Sequence, residues 1–339
     1  MDRGAEGELK RVEGGQQRFA CTQCGKCCNR SPEVELSEAA ALADVFVFRL
    51  MFRLYELPRT VADYRVSGRT TGSSDELFYQ SKRLLNAFAA RKFSMKAKHG
   101  GKAVEHVKYL TISALTLDAG SGVCGALSMG RCSIYERRPL ACRTAPFHYS
   151  RGESSAERDL KSFVATPDYG CDTGDSAPIV LEAGRIVDSG LRQARADAVA
   201  IAAHDRRWKE AILRRVKNGS GNYSLPSLRE IEANAEFGAL TTSMRVAWQI
   251  AAETGLMRAE ECNALIATQA AAIEQELARD RCTPDERQTL MEMRAEYRLL
   301  DSNWETGAKC SRTALKRPGD QAAAQERKID DWIAARRQA

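Results

Sequence analysis

Apolar residues run almost without a break from Ala39 to Leu57, interrupted by Asp44, Arg49, Arg53 and Glu56. Ser37 stands ahead of the run as a cap and Pro58 behind it as a stop. The pattern predicts a helix over Ser37 to Leu57, buried nearly all round, with one polar stripe at Arg49, Arg53 and Glu56. Just before it, Glu33 to Leu36 is short and extended. A second helix starts at the capping box Ser73 to Glu76 and presents Leu77, Leu84, Leu85 and Phe88 at helical spacing. Tyr109 to Leu117 alternates instead, with Leu110, Ile112 and Ala114 on one face, as a strand does. The chain then passes through Ala119-Gly120-Ser121-Gly122 to Cys124. Arg131 to Tyr135 is placed to return as a partner strand, with Met129-Gly130 in the turn.

The second half reads as helices. Ser227 with Glu230 makes one capping box, and Thr283-Pro284-Asp285-Glu286 makes another with proline at the first helical position. Leu290, Met293, Tyr297, Leu300 and Trp304 form one apolar stripe, and Cys262, Ile266, Ala270, Ile273 and Leu277 form a second. Both are core faces. The expected fold class is α+β and predominantly helical, with a small β-hairpin and cysteine-rich metal-binding loops followed by a helical C-terminal region.

At 339 residues the chain suits about two domains. Residues 1–18, rich in Gly, Glu, Arg and Gln, read as a flexible arm, 19–178 as a cysteine-bearing metal-binding domain, and 179–339 as the helical region. A net charge of +6 hints at nucleic acid, but basic and acidic residues are interspersed and no base-stacking motif occurs, so a nucleic-acid partner is not expected. The first eighteen residues hold no apolar signal segment, and the Ala39 to Leu57 run carries too many charges to span a membrane. The expected location is cytoplasmic. In that reducing compartment, clustered cysteines point to metal or redox chemistry rather than disulfides.

Eight of the eleven cysteines lie between Cys21 and Cys171. The densest run is Cys21-Thr-Gln-Cys24-Gly-Lys-Cys27-Cys28. Two residues between thiolates make a turn that brings both sulfurs to one ion, and Gly25 frees the backbone to aim N–H groups at sulfur. Three cysteines spaced by two also match the first three ligands of a bacterial ferredoxin run, although the fourth position, a cysteine followed by proline, is missing. Adjacent Cys27 and Cys28 diverge in direction, which leaves open whether they serve one ion or two. Cys124, Cys132, Cys142 and then Cys171 complete the candidate ligands. Arg138 and Arg143 are candidates to offset thiolate charge, and His148 is a candidate extra ligand. Cys262, Cys282 and Cys310 stand at no ligand spacing and read as packing residues.

At these residues the chain resembles the YkgJ-type cysteine-cluster family, described as a zinc- or iron-chelating domain. Phe19, Cys21, Cys24, Gly25, Cys27 and Cys28 match its first motif. Cys124, Cys132, Ile134, Tyr135, Glu136, Arg138, Pro139, Cys142, Arg143, Pro146 and Phe147 match its second. The family often carries a further cysteine in a Cys-Pro-Gly context, whereas Cys171 is followed by Asp172 and Thr173. The resemblance implies zinc or iron, including an iron–sulfur cluster, as cofactor. A weaker resemblance to flagellin lysine N-methylases implies protein methylation at a metal centre, but no glycine-rich loop follows a clear strand and no C-x3-C-x2-C spacing occurs. Three functions stay open: a metal centre that organises the fold or a surface for a protein partner, an iron–sulfur enzyme acting on a protein substrate, and metal storage or delivery. All require that about 95 residues fold back to bring Cys124 to the first cluster.

Overall fold

A computed structural model describes residues 15–28, 32–66, 74–99, 102–117, 124–147, 153–218, 225–233, 239–279, 283–298 and 313–315. The fold is α+β, with more helix than strand. The first half holds strands β1 (Gln16–Arg18), β2 (Glu33–Val34), β3 (Phe48–Pro58), β4 (Ala89–His99), β5 (Lys102–Thr116), β6 (Leu127–Ser128) and β7 (Arg131–Cys132). Its helices are α1 (Leu36–Ala41), α2 (Val61–Val66), α3 (Ser74–Phe88), α4 (Leu140–Arg143) and α5 (Ala156–Val164). The second half adds β8 (Ile179–Glu182), β9 (Arg185–Ile186), α6 (Ser189–Asn218), α7 (Leu228–Ala233), β10 (Ala239–Ser243), α8 (Met244–Glu253), α9 (Ala259–Ala278), α10 (Pro284–Arg298) and β11 (Thr313–Leu315).

The expected long helix from Ser37 to Leu57 does not form. Helix α1 stops at Ala41, and the apolar run continues as β3, paired antiparallel with β5 from Phe48 opposite Thr116 to Pro58 opposite His106. An uninterrupted apolar run fits a doubly buried strand as well as a buried helix. The polar spacing misled for a simple reason: four residues, the step from Arg49 to Arg53, is close to one helical turn and also two full strand periods. Val45, Phe46, Val47, Phe48, Phe52 and Tyr55 favour the pleated form.

The strand order of the main sheet is β11-β10-β3-β5-β2, with β4 also on β5. One face sets Phe48, Leu50 and Phe52 beside Leu110, Ile112 and Ala114, the alternation expected of β5. Trp208 and Ile212 of α6, Trp248 of α8 and Ile273 of α9 complete this core. The opposite face mixes apolar residues such as Met51 with polar ones. There the Arg49 Nε donates to Thr241 Oγ1 at 3.0 Å, and Ser113 Oγ donates to Glu33 at 2.7 Å.

Residues after 178 contribute β8 to β11 as well as helices. β10 pairs with β3, and both halves of the chain fill one core. Five residues of Ala239-Leu-Thr-Thr-Ser are too short to show a period, so this strand was not legible. Gln16–Arg18, expected in a flexible arm, pairs with β8; residues 1–14 lie outside the described residues. Both second-half capping boxes form: Ser227 Oγ accepts from the Glu230 N–H, and Thr283 Oγ1 accepts from the Glu286 N–H. Ser73, Leu300 and Trp304 fall outside the described residues. No helix among the described residues is long and apolar enough to cross a membrane.

Candidate metal centre

Three separated stretches of chain carry the candidate cysteines, and backbone contacts fasten them together. Phe19 and Phe147 flank the two cysteine motifs, and both are buried in a small second core with Leu160, Val180, Leu181 and Ile186. This core explains why an aromatic stands at each position: it anchors the loops to β8 and α5.

From Phe19 the chain runs beside the 170–172 segment. The Ala20 N–H donates to Asp172 O at 2.7 Å, and the Asp172 N–H donates back to Ala20 O at 3.0 Å. That antiparallel bridge sets Cys21 opposite Cys171. Thr22 Oγ1 extends it with a 2.6 Å bond to Gly170 O. Gly170 also adjoins Cys24: a Cβ there would stand 3.7 Å from its Sγ, an ordinary contact.

The second fastening joins Cys28 to Cys124, whose N–H donates to Cys28 O at 2.8 Å. The ninety-odd residues between them fold back as the metal reading requires. The β6–β7 hairpin follows, with Met129 and Gly130 both at positive φ in its two-residue turn. Cys132 sits on β7 opposite Leu127, so its partner strand is β6 rather than the one ending at Leu117. Gly25 has φ +70°, and a Cβ there would stand 2.5 Å from Gly130 O. Only glycine lets the first loop seat on the hairpin turn. Cys142 lies on the short helix α4, whose first N–H, at Leu140, donates to Glu38 Oε1 at 2.7 Å.

The thiols influence one another in overlapping sets that share Cys27. Cys171 interacts most with Cys24, Cys21 and Cys27. Cys28 hydrogen-bonds Cys27 and also feels Cys124 and Cys132, while Cys142 feels Cys124, Cys27 and Cys132. Burial, with those neighbours, pushes Cys142 up to about 12 and Cys171 up to about 11. The bond to Cys27, then burial, raises Cys28. At Cys24 burial pulls upward but is outweighed by N–H groups of Lys26 and Gly170 and by the Thr22 hydroxyl, so its thiol is held low. The sequence points to Gly25 as the freeing residue, and the N–H of Lys26 indeed reaches sulfur.

Around the thiols, Arg138 stacks on the Tyr135 ring at 3.6 Å, and the Tyr135 side chain hydrogen-bonds Cys21. Arg138 also acts favourably on Cys142. Arg143, its expected companion, pairs with Asp197 at 3.5 Å instead. Cys262 is buried in the main core, as a packing residue should be. His148, Cys282 and Cys310 lie outside the described residues. Sequence reasoning gave no role to Thr22, Gly170 or Glu38. The first two adjoin cysteines, which is a usable signal; Glu38 reaches α4 across the fold, which is not.

No disulfide joins the described cysteines. Among the described residues, no three His, Cys, Asp or Glu side chains are gathered at ion-holding range in this conformation. The donor set nevertheless fits a thiolate-bound ion: loops converge, N–H groups point at sulfur, and a guanidinium stands by. Cysteine has a single χ1, and rotation about it moves sulfur without moving the fastened backbone. A bound cation would supply the positive charge that lets raised thiols release their protons. Comparison of the chain with protein-family models, curated proteins and solved structures gives no match.

Proposed function

We propose that this chain is a cytoplasmic metal-binding protein of the YkgJ-type cysteine-cluster kind, holding zinc or iron on Cys21, Cys24, Cys27, Cys28, Cys124, Cys132, Cys142 and Cys171. The metal centre organises this end of the fold and the surface it offers to a protein partner. One observation carries the proposal. Loops far apart in sequence are fastened by the Ala20–Asp172 bridge, the Cys124–Cys28 bond and the Gly25–Gly130 contact, which bring the cysteine-bearing stretches 20–28, 124–132 and 170–172 together. Buried thiols without such a role are normally scattered among aliphatic residues, as Cys262 is.

The test is metal content by mass spectrometry, with an absorption spectrum, on full-length protein purified without oxygen. Bound zinc or iron that resists desalting is the expected result. Iron with acid-labile sulfide identifies an iron–sulfur cluster, and a colourless zinc protein identifies plain thiolate coordination. A chain that carries no metal, and takes up none on anaerobic reconstitution, overturns the proposal.

A further inference from the structure

We propose that Cys21 and Cys171 are a redox pair, which a peroxide closes to a disulfide and a thiol reductant reopens. The pairing stands on backbone geometry. Its consequence, a metal centre that loses two ligands on oxidation, rests on the metal-binding proposal above.

Ala20 and Asp172 exchange both of their backbone bonds, at 2.7 and 3.0 Å, as the hydrogen-bonded pair of an antiparallel arrangement does. Cys21 and Cys171 are the next pair along, the position at which opposed residues exchange no backbone bond. Such pairs bring their Cα atoms to about 4.5 Å, inside the roughly 4.4–6.8 Å that a disulfide spans. Bonds fix this pair from both sides: the Ala20–Asp172 bridge on one, and the 2.6 Å bond from Thr22 Oγ1 to Gly170 O on the other. Phe19 and Cys171 also pack in the same small core, and the Phe19 N–H donates to Pro178 O at 3.1 Å. The two cysteines are therefore in register before any oxidant arrives.

Other pairings are less favoured. The Cα atoms of adjacent Cys27 and Cys28 are about 3.8 Å apart, too close for an unstrained bridge. Cys132 stands opposite Leu127 in its hairpin. Cys124 meets Cys28 through one N–H bond but is buried in the main core, away from a dissolved oxidant. Cys24 adjoins Gly170, one position from Cys171, and is the competitor to be distinguished.

Cys21 is exposed and Cys171 partly buried, which assigns their roles. Hydrogen peroxide oxidises the Cys21 thiol to a sulfenic acid: the O–O bond breaks, one oxygen joins sulfur and the other leaves as water. The Cys171 sulfur then attacks the sulfenic sulfur. The S–S bond forms, the S–O bond breaks, and the hydroxyl leaves as a second water with the Cys171 proton. Two thiols have passed two electrons to one peroxide. Neither sulfur is then a thiolate, the form that ligates a metal.

The experiment treats the full chain, reduced and stripped of metal, with hydrogen peroxide, blocks the remaining thiols and maps links by mass spectrometry without reduction. The tryptic peptide 19–26 should be joined to the one holding Cys171, with fragment ions placing the link on Cys21. Cys24→Ser should keep that link. Cys171→Ser should abolish it and leave Cys21 as a sulfenic acid that dimedone labels. A predominant link through Cys24 or any other cysteine, or oxidation without a link, overturns the pairing. In zinc-loaded protein the same treatment should release zinc to a chromophoric chelator in step with the link, and a thiol reductant should restore binding. Zinc retained while the link forms overturns the switch. A chain that forms the link but never takes up metal overturns the metal-binding proposal and leaves the pairing standing.

Discussion

Gly25 is the residue on which the cysteine end turns. Its φ of +70° costs a side-chain-bearing residue about 1–2 kcal/mol, and the Cβ would also collide with Gly130 O. Gly184 has φ +75° with open space around it and pays the backbone term alone. In urea denaturation, Gly25→Ala should therefore lose more stability than Gly184→Ala, and its zinc affinity should fall at least about tenfold, the equivalent of about 1.4 kcal/mol. Equal losses and unchanged affinity would show that the Gly25–hairpin contact is immaterial. A second residue, Glu35, is buried with Lys209 at 2.5 Å. Burial raises its carboxyl above the ordinary 4.5, against the pull of Lys209. In the window between 4.5 and that raised value the folded state holds a proton that the unfolded state has lost. Stability contributed by Glu35 therefore rises as pH falls through the window, is full below 4.5, and is lost as pH climbs past the folded value. Glu35→Gln should remove this slope from a series of urea midpoints against pH. An identical slope in both proteins would contradict the assignment.

Among the elements, β3 depends on α9 in a way no local pattern announces. Gln269 is fully buried; its Nε2 donates to Ala43 O and Phe46 O at 2.6 Å each, and its Oε1 accepts from the Phe48 N–H at 2.9 Å. These three bonds satisfy the backbone where α1 has ended and β3 begins. Gln269→Leu leaves three buried polar groups without that partner, each costing about 1–3 kcal/mol, so a loss of about 3 kcal/mol or more is expected in urea unfolding. A loss under about 1 kcal/mol would mean that water replaces the amide. The stripe from Cys262 to Leu277 is legible as one face of α9, and Ile273 is indeed core. Gln269 falls beside it and reads as an ordinary polar surface residue, because its partners lie more than two hundred positions away.

Across the whole molecule, three apolar clusters among the described residues divide the labour, the third setting Tyr64 of α2 and Phe78 of α3 with Leu57 and Tyr109. The main core joins the sheet to α6, α8, α9 and α10 and engages the cysteine loops at their margin, through Cys28, Cys124, Ala126 and Ile134. The cysteine end has little regular structure of its own: a hairpin of two-residue strands, two turns of 3-10 helix and a four-residue α4. Metal removal should therefore loosen one end and not the whole. Circular dichroism of the metal-free chain is expected to keep most of its helical and strand signal, while protease cutting rises within 20–28 and 124–134. Global loss of the dichroism signal on chelation would show instead that the ion carries the main fold.

Certain features follow from sequence because their causes are local. The C-x2-C spacing with Gly25 dictates a sulfur-bearing turn, the two second-half capping boxes start helices within one turn of themselves, and the alternation of Leu110, Ile112 and Ala114 dictates a strand face. Even the return of Cys124 to the first loop was expected from the metal reading, under which the candidate ligands would have to meet. The remainder depends on partners remote in the chain. Whether Phe48 to Leu57 is helix or strand was decided by β5 and β10, which cover both of its edges. The mingling of the two halves was decided by the same pairings. Which stretch each cysteine loop meets was decided by the backbone it bonds: the 170–172 segment for the loop of Cys21 and Cys24, and Cys28 for Cys124. Spacing names the candidate ligands, because a turn is a property of a few residues; only packing across the fold brings their loops together.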